Sequence, residues 1–186
     1  MSHSLRSTLH APRSPSPRPL PPPARHDSIR GWFAHELYNQ MVRNEKIWVL
    51  TGDLGYRMLD RIKADFPDRF INCGAAEQAM MGIGVGLAQE SQIPFVYSIT
   101  TFLLFRPFET IRNYLHHERA PVRLVGSGTE HDYPHDGYSH WPEQEHEIMK
   151  VLTNIEPQWP QNKNEIPGLV ERMVKEDKPW YLNLRR

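Results

Sequence analysis

The feature that most constrains this chain is a repeated alternation between short apolar runs and longer segments whose apolar residues recur at helical spacing. Runs at 47–50, 70–73, 95–99, 122–125 and 180–184 have the length and character of buried strands, and the first ends at the turn residues Gly52, Asp53 and Gly55. Between them lie helical patterns. Trp32, Phe33, Leu37 and Met41 follow Asp27 or Ser28 as an N-cap, and a second pattern runs through Met58, Leu59 and Ile62. Further helices are expected over 75–89, 108–117, 143–152 and 166–175. Such alternation predicts an α/β fold, a doubly wound, mostly parallel sheet flanked by helices. Open sheets of this kind gather ligands at the carboxyl ends of their strands, so functional groups are expected in the loops that follow them.

The first residues fall outside the pattern. They hold Pro12, Pro15, Pro17, Pro19 and Pro21 to Pro23 among Ser and Arg, with no carboxylate before Asp27, and cannot build a core. Residues 1–27 are therefore expected to be a disordered tail and 28–186 a single domain. The tail shares its Arg- and Ser-rich, acid-poor character with organelle transit peptides, but its prolines spoil an amphipathic helix, so a cytoplasmic location is expected.

Lys plus Arg and Asp plus Glu are each 22, which leaves no basic excess to hold a nucleic acid. No apolar run approaches the roughly 20 residues of a membrane span. Cys73 is the only cysteine and cannot form an internal disulfide.

Within the pattern, Glu77 falls in the first turn of a helix directly after a strand, where a carboxylate either complements the helix dipole or serves chemistry. Glycines 82, 84 and 86 in that helix cost about 1 kcal/mol each relative to alanine, which implies close packing against the sheet or another subunit. Phe102, Phe105 and Phe108 recur every third residue, as core packing or as an aromatic pocket. His131, His135, His140 and His146 crowd one stretch, but their spacing fits no standard zinc pattern, and no metal site on this chain is expected.

The segment Gly74-Ala75-Ala76-Glu77-Gln78-Ala79-Met80-Met81-Gly82-Ile83-Gly84-Val85-Gly86-Leu87-Ala88 resembles the surroundings of the catalytic glutamate in transketolases, 1-deoxyxylulose-5-phosphate synthases and 2-oxo-acid dehydrogenase beta subunits. The segment from Tyr97 to Phe108 resembles that family's aromatic pocket, and Glu130 to Gln144 its Asp-Gly-Pro-Thr-His stretch, with Tyr138 for the proline and Ser139 for the threonine. The histidine that the family carries upstream falls at Gly128, with His131 or His135 as substitutes.

The resemblance implies the pyrimidine-binding domain of a thiamine-diphosphate enzyme. Glu77 would bond the N1′ nitrogen of the cofactor's aminopyrimidine, with Phe102, Phe105 and Phe108 around the ring and Asp53 near the thiazolium. Asp136 and His140 would contact the substrate and assist proton transfer, while Arg30, His131 and Arg186 would bind it, the arginines through its phosphate. The family's Gly-Asp-Gly motif for magnesium and diphosphate has only Gly52-Asp53-Leu54 as a near match. Mg2+ is therefore expected on a separate diphosphate-domain chain, in a heterotetramer with two copies of each.

The implied activity is that of a split transketolase, moving a two-carbon ketol unit between sugar phosphates. Alternatives are a carboligase or decarboxylase of 2-oxo acids, or a non-catalytic regulatory domain.

Overall fold

A computed structural model of the chain describes residues 26–186, so the expected tail over 1–27 lies almost wholly outside the described residues. The described part begins with helix α1 (Ile29–Arg43), capped by the Ser28 hydroxyl, which accepts from the Gly31 N–H at 3.1 Å. There follow β1 (Ile47–Thr51), α2 (Asp60–Asp65), β2 (Phe70–Asn72), α3 (Glu77–Gln89) and β3 (Ile93–Ile99). A short helix α4 (Thr100–Phe105) leads to α5 (Phe108–Thr110), which continues as a π-helix over Ile111–His117. The chain then passes through β4 (Arg123–Ser127), α6 (Glu145–Val151), β5 (Glu156–Gln158), α7 (Ile166–Lys175) and β6 (Trp180–Leu184).

The six strands form one sheet in the order β2-β1-β3-β4-β6-β5, and every pairing is parallel. The strand period of two sorts their side chains onto two buried faces. Val49, Phe95, Tyr97, Val125, Trp180 and Leu182 join one core with α1, α2 and α7. Leu50, Val96, Leu124 and Tyr181 join the other with α3, α4, the π-helix and α6.

Three features depart from the expectation. The strand Glu156–Gln158 is polar, contains Pro157 and lies at the sheet edge, where a missing N–H is tolerated, so no apolar run announced it. Helix α4 starts immediately at the end of β3 with no turn residue between them. Finally, the helix expected over 108–117 is mostly π-helical.

Of the three glycines in α3, only Gly84 packs against the sheet. A Cβ there would lie 2.9 Å from Val96 Cγ2, whereas one at Gly82 or Gly86 would meet nothing within 4 Å. Arg123 is buried at the start of β4 and donates to the Met173 and Glu176 carbonyls at 2.8 and 3.0 Å, satisfying the C-terminal end of α7. Burial pushes its guanidinium down to about 10. Among the described residues, no helix is long and apolar enough to cross a membrane.

Candidate functional site

The parallel sheet delivers the ends of β1, β3 and β4 to one rim. Gly52 follows β1 and donates its N–H to the Tyr97 carbonyl at 3.2 Å. Its missing side chain makes room there, because a Cβ would stand 3.1 Å from Glu77 Oε1 and 3.2 Å from Ser98 Oγ. Glu77 opens α3 and is only 2 % exposed. An ionised side chain buried to that degree requires partners. Ser98 Oγ donates to Oε1 at 3.2 Å, and Arg106 Nη1 pairs with Oε2 at 2.6 Å.

Arg106 in turn lies over the aromatic block, its guanidinium carbon 3.9 Å from the centre of the Phe102 ring. Phe102 meets His140 edge-on at 4.9 Å, and Tyr133 stands 5.7 Å from the same imidazole. The loop that carries His140 is tied to α4 by two threonines. Thr100 Oγ1 donates to the Gly128 carbonyl at 2.7 Å and Thr101 Oγ1 to the Ser139 carbonyl at 2.8 Å. His140 Nδ1 is within 2.9 Å of Ser139 Oγ, which fixes the ring's rotation.

Glu77, Phe102 and His140 are thus brought together, and Arg106 and Ser98 complete the cluster. Neither of those two stood out in the sequence. The spacing of Phe102 and Arg106, four residues apart across a helix end, was the available signal for their stacking. Phe105 is 41 % exposed and Phe108 half-buried, so neither is enclosed by the described residues. Asp53 takes a left-handed backbone, φ 58°, and is exposed. Asn72 clasps it with Nδ2 to Asp53 Oδ1 at 3.2 Å and Oδ1 to its N–H at 3.1 Å, as suits a turn residue beside the rim. Asp136 is exposed and engages through its backbone, donating to the Tyr133 carbonyl and accepting from Ser139 Oγ.

The arginines form a second feature. A cleft of about 580 Å3 opens between α1, the loop after β1 and the end of β6, lined by Arg30, Arg57, Arg61 and Arg186 together with Tyr97 and Tyr133. Arg30 Nη1 donates to Ser127 Oγ at 3.4 Å, while its Nε is buried without a hydrogen-bond partner. Arg186 stacks 4.8 Å over the Tyr133 ring. Tyr133 joins this cleft to the Glu77 cluster through its contact with His140. His131 does not line this cleft. It faces a separate cavity of about 440 Å3, 3.4 Å from Glu143 and with its ring tilted against Trp141. Among the described residues, no group of three or more His, Cys, Asp or Glu side chains is placed to hold a metal ion.

Comparison with known proteins identifies the family and the fold. Residues 28–186 match the family model described as "Transketolase, pyrimidine binding domain". A putative transketolase C-terminal section of Methanocaldococcus jannaschii is 27% identical over 162 residues, 87% of this chain and 51% of its own length. A 6-deoxy-6-sulfo-D-fructose transketolase subunit of Clostridium sp. is 24% identical over 159 residues, 85% of this chain and 49% of its own. Among solved structures, a split gene transketolase described as an inactive beta4 tetramer superposes with a TM-score of 0.76 at 29% identity, over 87% of this chain and 52% of that one. The chain spans about half the length of the curated relatives it matches. With the matched region reaching from Ser28 to Arg186, the chain belongs to the transketolase family and is a pyrimidine-binding domain of it.

Proposed function

We propose that this chain is the pyrimidine-domain subunit of a split transketolase-like enzyme, a transferase that uses thiamine diphosphate to move a two-carbon ketol unit between sugar phosphates. The observation that carries the reading is Glu77: a carboxylate almost wholly buried at the rim of the parallel sheet, with Phe102 and His140 beside it. The donor set suits an aminopyrimidine. Glu77 Oε2 has an exchangeable partner in Arg106, whose side chain is 43% exposed, and Phe102 offers the flat apolar face that a heteroaromatic ring stacks on. The clearance at Gly52 leaves room for the Ser98 hydroxyl to donate to the carboxylate's other oxygen.

In this reading Glu77 holds a proton at Oε2 against the ring nitrogen and orients the pyrimidine, and Phe102 supports its face. Thiamine diphosphate, when bound, supplies the carbon nucleophile that no side chain provides. His140 exchanges protons with the reacting substrate, assisted by Asp136. Arg30 and Arg186, on the cleft that Tyr133 connects to His140, hold the substrate's phosphate with guanidinium forks.

Half of the cofactor's contacts would come from elsewhere. The outward face of α3 and the two residues before it carry Ala75, Ala76, Ala79, Gly82, Ile83 and Gly86, all exposed, a smooth apolar strip directly beside Glu77. Such a strip in a lone chain marks an interaction surface. It supports docking of a separate chain; in this reading that chain is the diphosphate domain and holds Mg2+, and the assembly is a cytoplasmic heterotetramer with two copies of each.

The test is co-expression with a candidate chain bearing the Gly-Asp-Gly motif, followed by assay with a ketose phosphate donor and an aldose phosphate acceptor. Glu77→Gln should lower kcat by at least about 100-fold while the complex still assembles. Unchanged turnover in that variant would sink the catalytic reading, and turnover of a 2-oxo acid in place of the ketose would reassign the substrate.

A further inference from the structure

Arg106 sits where a ligand of Glu77 would sit. Its Nη1 is 2.6 Å from Glu77 Oε2, and its guanidinium carbon is 3.9 Å from the centre of the Phe102 ring. A guanidinium is a flat, delocalised group with N–H donors in its plane. It therefore presents to this site an aromatic-stacking face and, at right angles to it, an in-plane hydrogen bond to the carboxylate. A 4-aminopyrimidine whose ring nitrogen shares a proton with Glu77 presents the same two features.

From this coincidence we infer that Arg106 is a built-in placeholder: in the chain without cofactor its guanidinium occupies the aminopyrimidine's place at Glu77 and Phe102, and it must swing out before the ring can enter. The inference rests on the reading of Glu77 as the pyrimidine's partner.

The two ends of the pair are unequal in a way that suits this role. Glu77's side chain is 1% exposed and cannot turn to water, so without a partner it would be a buried, uncompensated charge. Arg106's is 43% exposed, lies just beyond the end of α4, and reaches solvent by rotating its own side chain alone. The carboxylate is thereby kept satisfied in the subunit before its cofactor and the rest of the site arrive. The incoming ring must compete with a charge-assisted hydrogen bond, which sets a threshold on binding. Apparent affinity falls by the fraction of molecules in which the arginine is out.

The test uses the full chain and a small probe, 4-amino-5-hydroxymethyl-2-methylpyrimidine, with binding followed by titration calorimetry and by NMR shifts of the Arg106 side-chain N–H groups. Arg106→Gln should bind the probe about tenfold more tightly than the parent, the equivalent of about 1.4 kcal/mol. Arg106→Lys, which keeps the charge but loses the flat face and the fork, should fall between the two. Glu77→Ala should abolish binding in either background, and in the parent the Arg106 N–H signals should move to solvent-like positions as the probe saturates. Equal or weaker binding by Arg106→Gln, with binding still dependent on Glu77, overturns the placeholder and leaves the site reading standing. Probe binding that is absent from every variant, or indifferent to Glu77→Ala, overturns the site reading and the placeholder with it.

Discussion

At the scale of single residues, the site divides into groups announced by the sequence and groups assembled only by the fold. Glu77, Phe102 and His140 lie in segments whose local pattern set them apart, and they converge on one rim. Ser98 and Arg106 were silent because their contacts to Glu77 join residues 21 and 29 positions apart, a separation that no local spacing encodes. Ser98 is fully buried, and its hydroxyl is the donor to Glu77 Oε1. Ser98→Ala should therefore lower unfolding stability by about 1–3 kcal/mol in denaturant titrations, since it strips a buried acceptor of its partner. A serine that merely filled space would give a much smaller loss with alanine, and that result would remove it from the site.

At the scale of elements, the strands and long helices were legible because burial on both faces of a parallel sheet makes near-continuous apolar runs. The edge strand β5 was not, because a strand with one neighbour needs no such run. The glycines of α3 show how a pattern can be read correctly in part. Close packing against the sheet accounts for Gly84, while Gly82 and Gly86 face outward on the strip that includes Ile83. Gly84→Ala should destabilise the chain by about 1–3 kcal/mol through collision with Val96, read as a lower urea midpoint. Gly82→Ala and Gly86→Ala should instead stabilise it, by up to about 1 kcal/mol each, because alanine is the better helix residue and meets nothing. If the strip is the docking face, the same two substitutions should weaken assembly with the partner, since each inserts a methyl between closely apposed backbones. Stabilisation accompanied by unchanged association would move the interface elsewhere.

At the scale of the whole molecule, alternation along the chain specified a parallel sheet but not its strand order, which depends on which side each crossover takes. The order that results puts β6 between β4 and β5, and with it Tyr181 in the middle of the second core. Its hydroxyl donates to the buried carboxylate of Glu145 at 2.7 Å, and Asn183 Nδ2 donates to the same oxygen at 2.6 Å, as does the Trp159 indole. This network ties α6 and the segment after β5 to the sheet. Burial above all, and the neighbouring Glu145 carboxylate after it, push the Tyr181 phenol well above the ordinary tyrosine value of 10.0. The folded chain then keeps a proton that the unfolded chain releases above that pH. Its contribution to stability is complete below pH 10.0 and is lost as pH rises from there toward the folded value, by up to about 1.4 kcal/mol per pH unit. Tyr97 is also raised by burial and adds a loss of the same sign. Tyr181→Phe should cost about 1 kcal/mol near neutrality, because Glu145 loses one of three donors, yet its stability should fall less steeply above pH 10.0 than the parent's. Urea midpoints measured at intervals from neutral to strongly alkaline pH would show the two curves converging. Curves that stay parallel would mean that Tyr181 ionises alike in the folded and unfolded chains, and that the second core is open enough to admit its charge.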